Sequence, residues 1–268
     1  MKNEILEFAL SLSRAAEAEI LPVFRKCTVT LKSDGTEVTE ADRRAEEVMR
    51  TMIEKQCPNH RILGEEFGGW KTPTDDSIWV LDPIDGTTSF AIGLPIFGTL
   101  IAYLEGGEPQ VGVIHFPAMG ETVYAAKGFG CWAQVHSEAP QRMHTTKVSN
   151  IADAFISAGA ATPTDIHPMG DPPSFKLSSL IPKPRKFRFI TDCVQHALVA
   201  QGRIDAAIDP IMNPWDIAAL IPCVEEAGGV VSDLNGTRKH LSWGSNLLSS
   251  ASSSLHSQIL NVLQGVHL

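Results

Sequence analysis

The stretch WVLDPIDGTTSF, residues 79–90, places two carboxylates three positions apart at the end of an apolar run. Asp-Pro and Asp-Gly pairs are common turn formers, so Asp82 and Asp85 taken singly fit a plain turn. The tight loop, stiffened by its proline, would also let both carboxylates and the Ile84 carbonyl face one point. The following turn, residues 86–89, offers backbone N–H groups that could hold a phosphate.

Further carboxylates follow apolar elements elsewhere in the chain. Glu65 lies in ILGEEFGG, and Asp209 and Asp216 lie in AIDPIMNPWD. Carboxylates that meet at one edge of a sheet would repel each other unless cations neutralised them. Oxygen ligands without Cys or His nearby favour Mg²⁺, with Mn²⁺ or Ca²⁺ possible. The open alternatives are a solvated face for the Glu-Glu pair and a first-turn helix charge for Asp216.

Composition narrows the class of protein and of partner. The chain has 268 residues, 43% of them hydrophobic, and a formal net charge of −9. This allows one large domain or two joined lobes and argues against nucleic acid or an anionic membrane as partner. No apolar run reaches the roughly 18 residues of a membrane span. The five scattered cysteines indicate neither a zinc site nor a disulfide framework and favour a cytoplasmic protein.

The first half of the chain begins with helix patterns and continues with strands. Residues 4–25 and about 40–56 predict two amphipathic helices. Between them, TVTLKSDGTEVT predicts a short hairpin with a turn at Asp34-Gly35, and TEAD contains a capping pair at the start of the second helix. Runs of strand character between 78 and 135 predict an antiparallel meander.

The second half alternates between strands and helices. AFISAG, KFRFI, IDAAID, VVSD and NLLSSA read as strands, and DCVQHALVAQG, PWDIAALIPCVEEAGG and residues 253–264 read as helices. These patterns predict an N-terminal α+β lobe, residues 1–147, and a C-terminal α/β lobe, residues 148–268.

GEE, WVLDPIDGTTSF and PWDIAALIPCVEEAGGVVSD resemble the three signatures of the inositol monophosphatase family, and LKSDGTEVTEAD and the order of the lobes also fit it. These are Mg²⁺-dependent, lithium-sensitive phosphatases that are related to fructose-1,6-bisphosphatase. The resemblance implies a layered α-β-α-β-α sandwich and a homodimer.

The resemblance also implies which groups hold the metal ions. Glu65, Asp82 and the Ile84 carbonyl would hold the first Mg²⁺, and Asp82, Asp85 and Asp216 would hold the second. Glu65 would help with a weaker third ion. Ile84, Asp85 and Asp216 would therefore also border the bound substrate.

Catalysis would use a Thr-Asp pair. Thr87 would orient the attacking water together with Asp42, and Asp42 or Glu65 would accept the proton. The backbone of Gly86 and Thr87 would bind the phosphate. The alternative for Thr87 is a helix N-cap; for Asp42 it is the capping partner of Thr39, and Asp42 could do both.

The substrate wall is the part in which family members differ. The resemblance implies that Asp209 and the segment from Arg188 to Cys193, with Thr191 and Asp192, face the part of the substrate beyond its phosphate. The adjacent helix, DCVQHALVAQG, also carries a histidine that could approach this pocket, although histidines in this chain share no ligand spacing.

VTEADRRAE and DCVQHALVAQGRIDAAIDP look closest to the histidinol-phosphate phosphatase branch, which would place the chain in histidine biosynthesis. An acidic wall of Asp192 and Asp209 suits the ammonium and imidazole groups of histidinol phosphate. The alternative is inositol 1-phosphate, because a carboxylate also binds vicinal hydroxyls and Trp215 is more like the inositol branch. A third alternative is a non-catalytic family member, against which the intact acidic set argues.

Overall fold

The computed structural model describes residues 2–26, 30–31, 37–70, 76–169 and 175–265. In these ranges the helices are α1 Lys2–Ile20, α2 Glu40–Gln56, α3 Thr87–Ala91, α4 Leu177–Leu180, α5 Asp192–Ala200, α6 Pro214–Ile217, α7 Leu220–Glu226 and α8 Ser253–Leu263. The strands are β1 Thr30–Leu31, β2 Glu37–Val38, β3 Arg61–Gly64, β4 Gly68–Gly69, β5 Ile78–Asp85, β6 Gly98–Glu105, β7 Glu108–Phe116, β8 Glu121–Ala126, β9 Gly130–Val135, β10 Gln141–Met143, β11 Phe155–Ala158, β12 Lys186–Phe189, β13 Ala206–Asp209, β14 Val230–Ser232 and β15 Leu247–Ser250. Of the helices in the described ranges, none is long and apolar enough to cross a membrane.

The elements pack as layers in the order α-β-α-β-α. Helices α1 and α2 cover one face of an eight-stranded sheet with the strand order β10-β9-β8-β7-β6-β5-β3-β4. Helices α5 and α7 lie between that sheet and a five-stranded sheet with the order β12-β11-β13-β15-β14. Helices α4 and α8 cover the outer face of the second sheet. The layered sandwich predicted from the sequence is confirmed.

The outer helices α1 and α2 each bury one stripe of residues at helical spacing, as their patterns predict. The buried stripes consist of Ala9, Leu12, Ala16 and Ile20 on α1, and of Ala41, Ala45, Met49 and Ile53 on α2. Phe8 of α1 contacts Trp79 of β5 edge to face, with ring centroids 5.4 Å apart. These contacts fix both helices on the sheet strand that leads to the two DPID carboxylates.

Strand β5 is buried on both faces. Ile78 and Val80 pack with the middle helix layer, whereas Trp79 and Leu81 pack with the outer layer that contains α1 and α2. Successive side chains of a strand point to opposite faces, so a continuous apolar run is what a strand between two helix layers requires. The meander predicted between residues 78 and 135 is confirmed as the antiparallel strands β5 to β9.

The five-stranded sheet divides its side chains in the same way. Ala206 and Ile208 of β13 pack toward α8, whereas Ala207 between them packs toward the middle helices. Strand β13 pairs parallel with β11 and antiparallel with β15. The strand ends at Asp209, where the chain turns toward the middle layer.

Two helices differ from their predicted extents. Helix α1 ends at Ile20 instead of continuing to residue 25, and a 3-10 turn that contains Pro22 follows it. The predicted helix PWDIAALIPCVEEAGG is divided into α6 and α7. Pro222 has no N–H to donate to the carbonyl of Ala218, so the helical hydrogen-bond pattern is interrupted there. The predicted hairpin is present as β1 and β2, and its turn at residues 34–35 lies outside the described residues.

Candidate active site

Parallel strand pairing brings Glu65 beside Asp82. Strands β3 and β5 run in the same direction, with Gly64 opposite Leu81, and the Glu65 amide donates to the Leu81 carbonyl at 3.2 Å. Glu65 follows Gly64 and Asp82 follows Leu81, so the parallel pairing places two acidic residues side by side. The charge of Glu65 accordingly acts on the pKa of Asp82.

A β-bulge brings Asp82 and Asp85 to the same side of β5. On a regular strand, residues three positions apart face opposite sides. Here Asp82 lies opposite Leu100 and Asp85 opposite Gly98, so β5 contains one more residue than β6 between these pairs. The Thr99 hydroxyl of β6 donates to the Pro83 carbonyl at 2.8 Å and holds the bulge.

Asp216 enters the site from the first turn of α6. The Asn213 amide donates to Asp216 Oδ2 at 2.7 Å in a capping box, which fixes the carboxylate at the helix start. One carboxylate oxygen from each of Asp82, Asp85 and Asp216 can be chosen so that all three lie within 4.8 Å of one another. The convergence predicted from the sequence is therefore present for these three residues.

Electrostatics show how unfavourable this arrangement is without cations. Burial raises the pKa of Asp82 well above its usual range, and the charges of Glu65 and Asp85 raise it further. Burial likewise raises the pKa of Asp85, as do the charges of Asp192 and Asp216. Burial raises the pKa of Asp216 to about 7, and Glu65 contributes to that shift. These carboxylates raise one another's pKa because their like charges repel.

Asp42 caps the start of α2 and is an electrostatic neighbour of the acidic residues, and its role with the attacking water stays a prediction. Its Oδ2 accepts from the Thr39 amide at 2.8 Å and from the Thr39 hydroxyl at 2.6 Å, which confirms the predicted capping pair. Burial raises the pKa of Asp42 to about 6, with a contribution from the charge of Glu65. Asp42 in turn contributes to the raised pKa of Asp82.

The oxygen atoms at this site fit a hard divalent cation. Asp42 Oδ1 and Asp82 Oδ1 are buried, and neither has a hydrogen-bond partner in the part of the chain that the structure describes. A buried carboxylate oxygen without a donor is costly, and a bound cation would satisfy it. Because the ligand atoms offered by Asp82, Asp85 and Asp216 are carboxylate oxygens, Mg²⁺ or a similar hard ion suits this site better than a soft metal.

The turn after the bulge leads into a short helix. Gly86, with φ +86°, is the N-cap of α3, so Thr87 is the first helical residue and not the N-cap that was the alternative for it. The Thr87 hydroxyl donates to the Ile84 carbonyl at 3.1 Å. Amides in the first turn of a helix have no acceptor within the helix, and here they begin directly beside the acidic residues.

Asp192 lies against the Gly86 turn. A Cβ atom on Gly86 would come within 2.7 Å of Asp192 Oδ2, so a glycine is required both for this contact and for the backbone angle. Asp192 itself has φ +56°, an uncommon conformation for a residue with a side chain. Its neighbour Cys193 donates its amide to Asp85 Oδ2 at 2.6 Å. The start of α5 thus joins the predicted substrate wall to the acidic residues.

The pKa of Asp192 is raised by burial, against hydrogen bonds from Thr191 and Ser89, and the charge of Asp209 raises it further. The two predicted wall carboxylates, Asp192 and Asp209, are therefore electrostatic neighbours. Burial also raises the pKa of the Cys193 thiol well above its usual range, which agrees with a packing role for this side chain.

Asp209 is held by a buried network that the sequence did not reveal in full. Gln195 Nε2 donates to Asp209 Oδ2 at 2.6 Å, and His196 Nε2 lies 3.0 Å from the same oxygen. Ser157 donates its hydroxyl to Gln195 Oε1 at 2.7 Å, and His196 Nδ1 lies 2.8 Å from the Ser249 hydroxyl. His196 therefore contacts a predicted wall residue, and its approach to the substrate pocket stays a prediction.

Arg188 lies farther out than the other predicted wall residues. It is exposed on β12, the edge strand of the five-stranded sheet, and its guanidinium donates to the neighbouring Phe187 carbonyl at 2.8 Å. A substrate role for Arg188 stays a prediction.

Glu46 is a buried carboxylate beside the site that was not predicted from the sequence. Its side chain is fully buried on α2, one turn after Asp42, and it contacts the turn that contains Glu65. Residues four apart on a helix share a face, so the spacing of Asp42 and Glu46 is the signal that could have identified it.

Known proteins resemble this chain in sequence and in fold. The sequence profile of the inositol monophosphatase family matches residues 1–268. A histidinol-phosphatase from Chlorobaculum parvum is 40% identical over 248 residues, 91% of each chain. A histidinol-phosphatase from Mycobacterium tuberculosis is 34% identical over 238 residues, 88% of this chain and 90% of that one. The solved structure of an IMPase from Thermotoga maritima superposes with a TM-score of 0.84 at 29% identity and covers 98% of each chain.

Proposed function

The chain belongs to the inositol monophosphatase family, and we propose that it hydrolyses histidinol phosphate to histidinol and inorganic phosphate with Mg²⁺ as cofactor. The family consists of metal-dependent phosphatases, so the reaction class is the hydrolysis of a phosphate monoester. The substrate and the identity of the ion are the proposed part.

The observation that carries the choice of substrate is the pair of wall carboxylates. Asp192 adjoins the Gly86 turn, where the phosphate is expected, and Asp209 is its electrostatic neighbour. Two acidic groups on the leaving-group side favour a cationic alcohol such as histidinol, which carries an ammonium group and an imidazole. The two relatives named histidinol-phosphatase, at 40% and 34% identity, support the same choice.

The mechanism follows from the positions of the protein groups. Asp82, Asp85 and Asp216, with Glu65 and the Ile84 carbonyl, would hold the divalent ions. When bound, such ions neutralise the charge of the ester, acidify a water molecule and stabilise the departing alkoxide.

Thr87 and Asp42 would handle the proton of the attacking water. The Thr87 hydroxyl donates its hydrogen bond to the Ile84 carbonyl, so its oxygen can accept a hydrogen bond from water. Asp42 Oδ1 has no other partner in the described chain, and its pKa of about 6 suits a general base near neutral pH. The first amides of α3 would bind the phosphate oxygens.

The proposal is tested by measuring kcat/KM for histidinol phosphate and inositol 1-phosphate on the same preparation with Mg²⁺. We expect histidinol phosphate to be preferred by about tenfold or more, the value of one charge-assisted contact. A preference for inositol 1-phosphate would reject the substrate and leave the reaction class intact. Absence of phosphate release from both esters and from a wider panel would support a non-catalytic family member.

The second candidate is inositol 1-phosphate. It is favoured by the high structural similarity to the Thermotoga maritima IMPase and by the ability of Asp209 to bind vicinal hydroxyls. For this substrate, neutralising Asp192 should leave kcat/KM nearly unchanged, because a neutral polyol gains little from a second carboxylate.

We further propose that the protein forms a homodimer in the cytoplasm and acts in histidine biosynthesis. We also propose that Li⁺ inhibits it. Light scattering on the purified protein tests the dimer, and a monomer over the working concentration range would contradict it. Inhibition by LiCl, with NaCl at equal ionic strength as control, tests the lithium response.

A further inference from the structure

Glu46 is a buried carboxylate whose partners are well defined. Its side chain is fully buried in the middle of α2. Arg50 Nε donates to Glu46 Oε1 at 2.7 Å, the Glu66 amide donates to Oε2 at 2.7 Å, and the Phe67 amide donates to Oε1 at 3.2 Å. Both carboxylate oxygens therefore accept hydrogen bonds, and two of the three bonds come from backbone amides of the same turn.

The turn is fitted closely around this carboxylate. A Cβ atom on Gly64 would come within 2.0 Å of Glu46 Oε1, so a larger residue there would displace the carboxylate. Arg50 also donates from Nη2 to the Gly68 carbonyl. The Glu46-Arg50 pair thus contacts both ends of residues 64–68, and Glu65 lies inside that segment.

We propose that Glu46 is a positioning residue for the divalent ions: together with Arg50 it fixes residues 64–68 so that the Glu65 carboxylate faces Asp82. Gly64 lies opposite Leu81 and the Glu65 amide donates to the Leu81 carbonyl at 3.2 Å, so this turn begins directly beside Asp82. If the turn were free, its backbone would have to be ordered each time an ion bound, and the affinity would fall.

The charge of the pair supports this role over a direct one. Arg50 balances Glu46 at 2.7 Å, so the pair orders the turn without adding a net negative charge beside mutually repelling carboxylates. Glu46 is not a catalytic residue in this account, because its oxygens are occupied by Arg50 and the backbone. Its effect should be on metal affinity more than on the chemical step.

The test uses Glu46→Gln in the full-length chain. Each oxygen of Glu46 faces an N–H donor, so the amide group of a glutamine must oppose one of them. We expect the Mg²⁺ dissociation constant from calorimetry to rise by about 10- to 100-fold, the usual effect of losing a partner that orients a ligand. The half-saturating Mg²⁺ for p-nitrophenyl phosphate hydrolysis should rise in parallel, and kcat at saturating Mg²⁺ should stay close to that of the parent protein.

Two further variants make the result interpretable. Glu47→Gln removes the same charge from the adjacent, exposed position of α2 and should leave Mg²⁺ affinity unchanged. Glu65→Gln removes the proposed ligand and should weaken Mg²⁺ binding at least as much as Glu46→Gln. If Glu65→Gln shifts the affinity and Glu46→Gln does not, the positioning role is wrong; if neither shifts it, Glu65 is not a ligand and the inference fails with it.

A purely structural role would give a different pattern. It would lower the melting temperature of Glu46→Gln while leaving the Mg²⁺ dissociation constant of the folded protein unchanged, and that outcome would overturn the proposal. If Glu46→Gln does not fold, Arg50→Lys takes its place, because lysine keeps the charge but cannot reach Glu46 and Gly68 together. A several-fold rise in half-saturating Mg²⁺ is expected, and an unchanged value would count against the proposal. None of these measurements depends on the natural ester.

Discussion

Two groups of buried or partly buried carboxylates in this protein differ in their neighbours. We call the first group the paired carboxylates; they are Glu46, Asp205 and Asp209. We call the second group the acidic cluster; its members are Asp42, Asp82, Asp85 and Asp216. Each paired carboxylate is surrounded by donors: Glu46 by Arg50 and amides, Asp205 by the Thr146 hydroxyl and the Phe155 amide, and Asp209 by Gln195 and His196.

Members of the acidic cluster also accept some hydrogen bonds, from Thr39, Cys193 and Asn213, but they have other carboxylates as close neighbours, and each has a raised pKa. Burial alone therefore does not identify a metal ligand. The folded chain supplies donors to the paired carboxylates, whereas a divalent cation is the partner that the acidic cluster requires. The predictions below separate the two groups.

The largest effect is expected from Asp85→Asn. It removes a charge that would hold the cations, and kcat/KM for phosphate release should fall by about a hundredfold to a thousandfold, as for loss of one strong stabilising group at a reacting centre. Activity assays at saturating Mg²⁺ check this. Asp205→Asn, the same change in a paired carboxylate remote from the reaction, is the control and should retain kcat. Parental activity in Asp85→Asn would show that the metal assignment is wrong.

The next effect concerns substrate selectivity through a paired carboxylate. Asp209→Asn should reduce transition-state stabilisation, measured through kcat/KM for histidinol phosphate, by about 1–3 kcal/mol, because it removes the charge that we propose faces the substrate cation. For an uncharged ester such as p-nitrophenyl phosphate the change should be small. Equal losses for both esters would mean that Asp209 supports the site as a whole and does not recognise the cation.

Stability should respond in opposite directions in the two groups. In protein stripped of metal with EDTA, Asp85→Asn should raise the free energy of unfolding, because it removes one of several repelling buried charges. Asp205→Asn should lower the free energy of unfolding by about 1–3 kcal/mol, because the Thr146 hydroxyl and the Phe155 amide would lose their charged acceptor. Urea unfolding measures both. A loss of stability in metal-free Asp85→Asn would contradict the view that the acidic cluster is strained without cations.

A further expected effect is a pH dependence of stability in the metal-free protein. The pKa values of Asp42 and Asp216 are raised from 3.8 to about 6 and about 7, so the folded state binds protons more tightly than the unfolded chain. Their contribution is fully present below the unfolded pKa of about 4 and is lost as the pH rises through about 6 and 7. Urea unfolding with EDTA should show stability falling over this range, and Mg²⁺ should reduce the slope. A slope that Mg²⁺ does not change would argue against cation binding here.

Local sequence signals were sufficient for most of the elements and for the acidic cluster. The Thr39–Asp42 cap, the strand that ends in DPID and the Asn213–Asp216 capping box all involve residues within a few positions of each other. The family resemblance added which of these groups act together. Local patterns did not show the break between α6 and α7, although Pro222 is visible in the sequence.

The paired carboxylates were harder to predict because their partners are distant in sequence. Glu46 accepts hydrogen bonds from the amides of residues 66 and 67, which are 20 and 21 positions away in the sequence. Asp209 accepts a hydrogen bond from Gln195 of α5. A polar residue on a helix gives no sign of which backbone will pack against it. The β-bulge between Asp82 and Asp85 was not predicted either, because it depends on the pairing of β5 with β6.

The central claim is that the acidic cluster holds divalent cations, and a crystal of the protein soaked with Mn²⁺ tests it most directly. Anomalous scattering should show one or more ions bonded to carboxylate oxygens of Asp82, Asp85 and Asp216, with Glu65 completing the set. Well-ordered side chains at these positions with no anomalous peak between them, at a Mn²⁺ concentration that supports phosphate release, would contradict the account.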